Sequence, residues 1–259
     1  MTTRFIILFW GMIFSLNSNS QNTLEKSPSP FRKTQIGLNV SPDFCYRMLR
    51  NHDKTQSTND AIKAWDRLDM CKFGYTLGLN ASKYFSKCFS IETGLQFSNK
   101  GFATKKLINS YMSIDSVTGL PEFIPGSGNM SISTKFYYNF YYLDIPIRTI
   151  FKFGKKKIQF ISSIGLTTNI LLKANQTMVD EYQDGRKEHQ RMKIQYNFNS
   201  LNLSPNIGTG IEFKINNKSN LRIESMLRFG IRRINDGPMA THLWNLGLNI
   251  SYNYKLKNN

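Results

Sequence analysis

The residues best placed to do chemistry are charged side chains inside strand-like segments. The stretch YYNFYYLDIPIRTIFKFG, which starts at residue 137, is strongly apolar on one face, yet it carries Asp144, Pro146 and Arg148 near its middle. Isolated charges are not tolerated in an apolar core unless they are paired. The pattern therefore predicts a polar interior whose charges form ion pairs, with these members: Glu92, Asp144, Arg148, Glu212, Arg222, Glu224 and Arg228.

The partners of the charges in this stretch must come from neighbouring strands. Asp144 and Arg148 are four residues apart, which is roughly 13 Å along an extended strand and too far for direct pairing. We expect Arg148 to reach Glu92 or a residue of the fifth strand.

A second group of charges lies in the seventh predicted strand. Arg222 and Arg228 flank Glu224 in the sequence and share its face. Side chains on one face of a strand can reach those of the strand beside it. We therefore expect both arginines to reach Glu212.

Acid–base chemistry at the rim of the molecule is the alternative to a purely structural set of charges. His189 lies near Asp184 and Glu188, and His242 lies near Asp236, all in predicted loops. A histidine beside a carboxylate can act as a general base, but loop residues that are simply solvated show the same spacing. No histidine pair has the spacing of metal ligands. We predict no catalytic residue, no metal site and no cofactor.

The three cysteines are too few for a disulfide scaffold, but one pair is well placed. Cys45 and Cys71 fall near the outer ends of the first two predicted strands, which should be neighbours. A bridge between them would stabilise the fold by about 3 kcal/mol in the chain-entropy model. Two unpaired thiols are the alternative. Cys88 lies at the opposite rim and is expected to stay free.

Eight segments with a period of two position these side chains. In one of them Leu221, Ile223 and Leu227 share a face, while charged residues and glycine occupy the other face. The eight segments span residues 34–42, 71–85, 88–100, 136–153, 157–172, 196–214, 219–232 and 241–256.

The connections between these segments alternate between long and short, which is typical of an outer-membrane barrel with short periplasmic turns and long extracellular loops. The sequence therefore predicts an all-β fold: an eight-stranded antiparallel up-and-down transmembrane β-barrel whose lumen is packed with side chains. A soluble barrel is the alternative, and it would bury the apolar face instead. The segment TNDAIKAWDRLDM in the first long loop can form a helical turn or two.

Aromatic residues at the strand ends support a membrane position. Tyr141 and Phe151 are ten residues apart, or roughly 33 Å along the strand. A strand tilted by about 40–45° covers roughly 25 Å of height over that length, which matches the lipid-facing band of such barrels. The predicted aromatic girdle comprises Tyr137, Tyr141, Phe151, Phe153, Trp244, Tyr252 and Tyr254.

Pro146 breaks the pattern, because proline cannot donate a hydrogen bond to a neighbouring strand. A closed barrel has no free edge on which to place it. We therefore expect a β-bulge or one missing ladder bond beside Pro146.

The N-terminal segment predicts export. Residues 1–20 combine Arg4, a short apolar run and small residues before Gln21, which is typical of a cleaved signal peptide. A membrane anchor is the alternative. Residues 21–33 indicate a periplasmic linker, and residues 34–259 form the predicted outer-membrane barrel domain.

The net charge of +17 is concentrated in the predicted periplasmic turns and tail. The simplest interpretation is solubility and attraction to anionic lipid headgroups. A sharper one is docking of an acidic periplasmic or secretion-system protein at this basic rim. Nucleic-acid binding is excluded as a function class, because the basic residues do not line one helix or sheet face with aromatic residues. We expect a monomeric barrel surrounded by outer-membrane lipid.

Three stretches carry a resemblance to a known family. The early I-G-L-N strand, E-T-G-L-Q-F-S-N-K-G-F at 92–102 and Y-L-D-I-P-I at 142–147 resemble the PorT-like outer-membrane β-barrel family of Bacteroidota. The resemblance implies an eight-stranded outer-membrane barrel and, through the namesake of the family, an accessory role in type IX secretion. An outer-membrane enzyme with catalytic residues on the extracellular rim and a narrow pore are the alternatives.

Overall fold

The computed structural model describes residues 33–114, 121–125, 130–154, 156–194 and 198–256. The predicted signal peptide and the linker up to residue 32 lie outside these ranges. Eight long strands form the fold: β1 (Lys33–Asn51), β2 (Lys72–Tyr84), β3 (Phe89–Thr104), β4 (Ser133–Phe153), β5 (Ile158–Glu181), β6 (Leu201–Lys214), β7 (Ser219–Phe229) and β8 (Met239–Lys255).

The eight strands close into a ring. Each strand pairs antiparallel with the next one along the chain, and β1 pairs with β8 from Gln35–Lys255 to Asn51–Met239. The predicted eight-stranded antiparallel barrel is therefore confirmed. Closure removes the free sheet edges that would otherwise expose unpaired backbone groups to lipid.

Short and long connections alternate as the sequence predicts. Residues 85–88, 154–157 and 215–218 join strands at one end, and longer segments join them at the other. Helix α1 (Gln56–Leu68) lies in the first long connection, where the Thr55 side chain caps its first turn by accepting from the Thr58 N–H at 3.3 Å. The expected helical turn or two is thus a helix of 13 residues.

Additional short strands lie in the long connections. Asp69–Met70 pairs with β3, Leu107–Ile108 with β4, and Ser110–Ile114 with Pro121–Pro125. Lys187–Lys193 pairs with the last part of β5 and widens the sheet at that point.

Burial along the strands is the inverse of that in a soluble protein. Leu38 is 61% exposed and Phe73 is 74% exposed, whereas Asn39 between the apolar positions of β1 is 3% exposed. An outward apolar face costs nothing in lipid, and it leaves the lumen to polar side chains. Among the described helices, none is long and apolar enough to cross a membrane.

The wall of the barrel has an interruption beside Pro146. On the β5 side the pairing runs through Pro146 without a break. On the β3 side it lapses between the pairs Thr93–Ile147 and Gln96–Asp144, although the register is unchanged across the gap. The Thr93 hydroxyl donates to the Pro146 carbonyl oxygen at 2.9 Å. Proline has no N–H to complete the ladder there.

A separate irregularity divides the β4–β5 pair into a lower part, toward the short turns, and an upper part, toward the long connections. Tyr141 pairs with Lys173, but Tyr142 pairs with Leu171, so that Leu172 is an extra residue in β5. Such a bulge changes which face the following residues occupy. Strand β5 continues well past its predicted end at residue 172, to Glu181. Strand β1 likewise continues past its predicted end at residue 42, to Asn51.

Candidate functional site

The middle of the lumen contains a buried network of two carboxylates and two guanidinium groups. Arg148 Nε donates to Glu92 Oε1 at 2.7 Å, and Arg148 Nη1 donates to Glu224 Oε2 at 2.8 Å. Arg222 Nη1 donates to the second oxygen of Glu92 at 2.9 Å. None of the four side chains is more than 3% exposed. These residues come from β3, β4 and β7, so the network crosses the lumen.

The network continues toward the short turns. Lys152 Nζ donates to a Glu212 oxygen and to the Tyr84 hydroxyl, which in turn bonds Gln35. Arg222 Nε lies 3.6 Å from the other Glu212 oxygen, as the sequence predicts for that arginine. Lys152 lies near the end of the predicted strand 136–153, and its side chain is buried in the lumen. We call the residues of these two groups the charged middle: Gln35, Tyr84, Glu92, Arg148, Lys152, Glu212, Arg222 and Glu224.

Arg228 does not bind Glu212, which was the acceptor predicted for it. Its Nη1 lies 3.2 Å from Asp43 Oδ1, whereas Glu212 is bound by Lys152 and lies near Arg222. The sequence prediction placed Asp43 in a loop, but the residue belongs to β1 and faces the lumen. There the Thr76 hydroxyl donates to its second oxygen at 2.6 Å.

Asp144 and Arg148 have separate partners, as expected from their spacing. Lys100 Nζ lies 2.9 Å from Asp144 Oδ2, and the Ser98 hydroxyl donates to the same oxygen at 2.8 Å. Asn169 Nδ2 donates to the other oxygen at 2.6 Å. The carboxylate of Asp144 is therefore held by β3 and β5.

Glycines make room for these large charged side chains. A Cβ atom at Gly247 would come within 1.9 Å of Asp43 Oδ1, and one at Gly208 within 2.4 Å of Glu224 Oε1. A Cβ at Gly165 would come within 2.4 Å of the Arg148 Cβ. Each of these three charged side chains thus lies against a glycine on a neighbouring strand.

Above the charged middle, on the side of the long connections, the lumen becomes apolar. Phe102 stacks on Tyr138 with ring centroids 4.5 Å apart, and Phe140 packs against Phe198 edge-to-face at 5.2 Å. The hydroxyl of the buried Tyr142 has no hydrogen-bond partner within the described residues. We call this cluster the aromatic roof, and it contains Phe102, Tyr138, Phe140, Tyr142, Leu171, Ala174, Ile194, Phe198, Ile234 and Leu243.

One ion pair fixes the helix-bearing connection to the roof. Arg47 Nε and Nη2 donate to the two Asp69 oxygens at 2.6 and 2.8 Å, which is a bidentate arrangement. The guanidinium lies 3.9 Å from the Phe102 ring centroid and 5.4 Å from that of Trp65. Burial raises the pKa of the Asp69 carboxyl, and the Arg47 hydrogen bonds act in the opposite direction.

The predicted Cys45–Cys71 disulfide is absent, and all three cysteines are free. Cys45 is buried and lies opposite Lys72 in the β1–β2 register. Cys71 precedes Lys72 by one residue and is exposed, because successive residues of an extended chain point to opposite faces. The two thiols therefore lie on different sides of the barrel wall. Cys88 is exposed at the other end.

The histidines do not form a common site in the described residues. His242 was assigned to a loop, but it lies in β8, stacks on Phe229 and has Nδ1 3.1 Å from the Gly230 carbonyl oxygen. His189 lies in the short strand Lys187–Lys193 and is exposed. Within the described part of the chain, no group of histidine, cysteine and carboxylate side chains suits a metal ion.

The predicted girdle residues lie on the outer surface at the two ends of the apolar band. At one end Phe151 packs against Phe89 at 5.7 Å between centroids. At the other end Tyr141 stacks on Phe97 at 5.9 Å. The remaining members are also at least partly exposed: Tyr137, Phe153, Trp244, Tyr252 and Tyr254.

The lumen charges that sequence reasoning missed include Asp43, Lys100 and Lys152. A signal for two of them was present. Lys152 has the parity of Asp144 and Arg148 in β4, and Lys100 has the parity of Glu92 in β3. Following parity to the end of each strand would have assigned both lysines to the lumen.

The fold and the sequence match one known family. A family model described as an outer membrane protein beta-barrel domain matches residues 17–258. The chain belongs to this family. Membership of this family and the outward apolar face both place the protein in the outer membrane. No curated protein matches the sequence.

The solved barrels that are similar to this chain have low sequence identity to it. The outer membrane protein OprG of Pseudomonas aeruginosa has a TM-score of 0.41 at 9% identity, covering 87% of this chain and 97% of its own. The protease OmpT of Escherichia coli has 0.38 at 10%, covering 91% and 100%. Ail, the attachment invasion locus protein of Yersinia pestis, has 0.36 at 9%, covering 86% and 99%.

Proposed function

We propose that this protein is a non-catalytic, closed barrel that anchors interaction surfaces on both sides of the outer membrane. In this role the barrel provides a rigid support, and the lumen carries no solute. The long connections and the rim of short turns then provide the surfaces that meet other molecules.

The charged middle is the observation that supports a closed lumen. The lumen of an eight-stranded barrel is just wide enough to be filled by its own side chains. Here Glu92, Arg148 and Arg222 meet across that space at hydrogen-bond distance and are fully buried. Opening a path would require separating buried ion pairs, which costs several kcal/mol for each charge left unpaired.

Conductance in planar lipid bilayers tests the closed lumen. We expect no steady current from the native protein. A well-characterised porin, reconstituted in the same bilayers, checks that insertion is detected. Steady open currents from the native chain would contradict the proposal and favour a narrow pore.

A partner at the basic rim is the second part of the proposal. A cavity of about 560 Å³ opens among the short turns, and Lys87, Lys214 and Lys255 line it together with Cys88. Among the described residues that line it, the only carboxylate, Glu212, is already bound to Lys152. Charge complementarity therefore supports an acidic segment of a periplasmic or secretion-system protein as the partner.

The two exposed cysteines provide the test of this rim. Cys88 lines the cavity, whereas Cys71 is exposed at the opposite end and serves as an internal control. An acidic peptide should slow maleimide labelling of Cys88 and leave labelling of Cys71 unchanged. Equal slowing at both thiols, or at neither, would argue against this site.

The type IX secretion role rests on the family resemblance in the sequence. Deleting the gene and comparing the secreted proteins tests it, and unchanged secretion would reject the role. Catalysis at the extracellular rim is the alternative. Replacing the exposed His189 by alanine should leave every phenotype unchanged if the barrel is not an enzyme.

A further inference from the structure

The upper part of the β4–β5 pair forms a small sheet that continues above the lipid band. Lys187–Lys193 pairs with residues Asn175–Glu181 of β5 and forms the edge of this sheet. The sheet begins at the bulge beside Tyr141, where the outer aromatic residues mark the end of the apolar band.

Strand register assigns the faces of this sheet. Lys193 lies opposite Asn175, which lies opposite Asn139 in β4. Residues directly opposite one another share a face, and Asn139 has the outward parity of Tyr141. The same reasoning assigns five cationic side chains to the outer surface, and we call them the basic face: Lys135, Lys173, Lys187, Arg191 and Lys193.

Charge is segregated between the two faces. The inward-facing positions of these strand segments carry Asp180 and Glu188 but no lysine or arginine. Glu181 is the one carboxylate of the outward positions, and it already binds Lys106 and lies 3.8 Å from Lys187. Charges that merely protect a sheet edge from pairing need no such segregation.

Three members of the basic face have neither an ion pair nor an aromatic contact within the described residues: Lys173, Arg191 and Lys193. All three side chains are exposed. Arginine and lysine in this state are available to anions, and the planar guanidinium suits two oxygens of one phosphate group.

The lower end of the basic face lies at the height of the headgroup layer. Lys173 lies opposite Tyr141, Lys193 is two residues higher, and Arg191 is four residues higher. At about 3.4 Å per residue and a tilt of about 40–45°, these positions lie roughly 0, 5 and 10 Å above the aromatic ring level. The polar layer of a bilayer leaflet is about 5–8 Å thick. Lys135 and Lys187 lie well above it.

We propose that the basic face binds the phosphate groups of glycolipids in the outer leaflet of the outer membrane. Lys173 and Lys193 lie at the level of these groups, and Arg191 lies just above them. The surface therefore fixes the depth and rotation of the barrel in the membrane. This role is independent of whether the lumen is closed.

Binding of a purified lipid tests the proposal. The full-length barrel in neutral detergent is titrated with lipid A that bears its phosphates, and bound lipid is counted by native mass spectrometry. Replacing Lys173, Arg191 and Lys193 together by glutamine should weaken binding about 10- to 100-fold. Removing the phosphates from the lipid should weaken binding to the native protein by a similar factor.

Two controls distinguish this site from general cation attraction. The matched variant K83Q/K156Q/K218Q removes three exposed lysines from the opposite rim and should bind the lipid normally. Inorganic phosphate at the lipid concentration should not compete. Equal losses in both variants, binding that is insensitive to the lipid phosphates, or competition by inorganic phosphate would each overturn the proposal. If the triple variant migrates as unfolded, R191Q alone should still weaken binding several-fold.

Discussion

The lower and upper parts of β4 follow opposite rules. In the lower part Arg148 faces the lumen and Ile147, which is 62% exposed, faces outward. In the upper part Phe140 is buried in the aromatic roof, and the outward Lys135 lies over the Tyr137 ring at 5.0 Å. Lipid surrounds the lower part, so apolar side chains favour the outside there.

The upper part projects into water, where burying apolar area is favourable and the inside becomes an ordinary hydrophobic core. One strand therefore changes its interior from charged to apolar within a few residues. The same reversal explains why polar–apolar alternation alone cannot decide which face of a strand points inward. The solvent on the outside has to be known at each height.

The largest effect is expected in the charged middle. Replacing Glu92 by alanine leaves Arg148 and Arg222 buried without their shared acceptor, and breaking such a pair costs about 3–5 kcal/mol. Urea unfolding in detergent measures the loss. The control is E188A, whose partner Arg186 is exposed, and it should change stability by less than about 1 kcal/mol. Equal losses would show that the buried network does not stabilise the barrel.

A slightly smaller loss is expected in the aromatic roof. Replacing Phe140 by alanine removes a ring that is 1% exposed, and the cavity should cost about 3 kcal/mol. F73A removes an outward ring that is 74% exposed and should cost much less in the same detergent. Because the charged middle remains, F140A should still carry no steady current in bilayers. A current would mean that the roof, and not the ion pairs, closes the lumen.

The hydroxyl groups of two buried tyrosines distinguish the regions further. The Tyr142 hydroxyl has no partner among the described residues, so Y142F should be neutral or stabilising, within about 1 kcal/mol. The Tyr84 hydroxyl bonds Lys152 and Gln35, and Y84F should cost about 1–2 kcal/mol. The same unfolding measurement compares them. A larger loss for Y142F would reverse the expected difference.

The smallest effect is expected above the membrane. A hydrogen bond from Lys106 holds the pKa of Glu181 below its ordinary value. The stabilisation is therefore complete above the unfolded pKa and is lost as the pH falls through the lowered, folded pKa. Amide hydrogen exchange in residues 187–193 should quicken in that acidic window. E181Q should remove this pH dependence; if it persists, another group is responsible.

The wall of the barrel was predictable from the sequence, whereas the contacts inside it were only partly so. Period-two alternation gave the eight strands and the face of Asp144 and Arg148, because it depends on neighbours along the chain. The Arg228–Asp43 pair depends instead on the stagger between strands that are distant in sequence. That stagger is a property of the closed ring and is absent from any one segment.

The upper sheet was missed for a different physical reason. The bulge at Leu172 shifts the alternation by one residue, so the pattern in β5 ends while the strand continues. The Cys45–Cys71 prediction failed through a one-residue difference in register, which places the two thiols on opposite faces. Neither feature leaves a clear mark in residue types.

The sequence separation of the lumen ion pairs constrains how the protein can be assembled. Glu92 and Arg222 are 130 residues apart, and Asp43 and Arg228 are 185 apart. An incomplete ring of strands would carry these charges unpaired, and lipid tolerates them poorly. The chain must therefore complete most of its ring before, or while, it enters the bilayer. A late strand such as β7 supplies the counter-charges that allow the earlier strands to stay there.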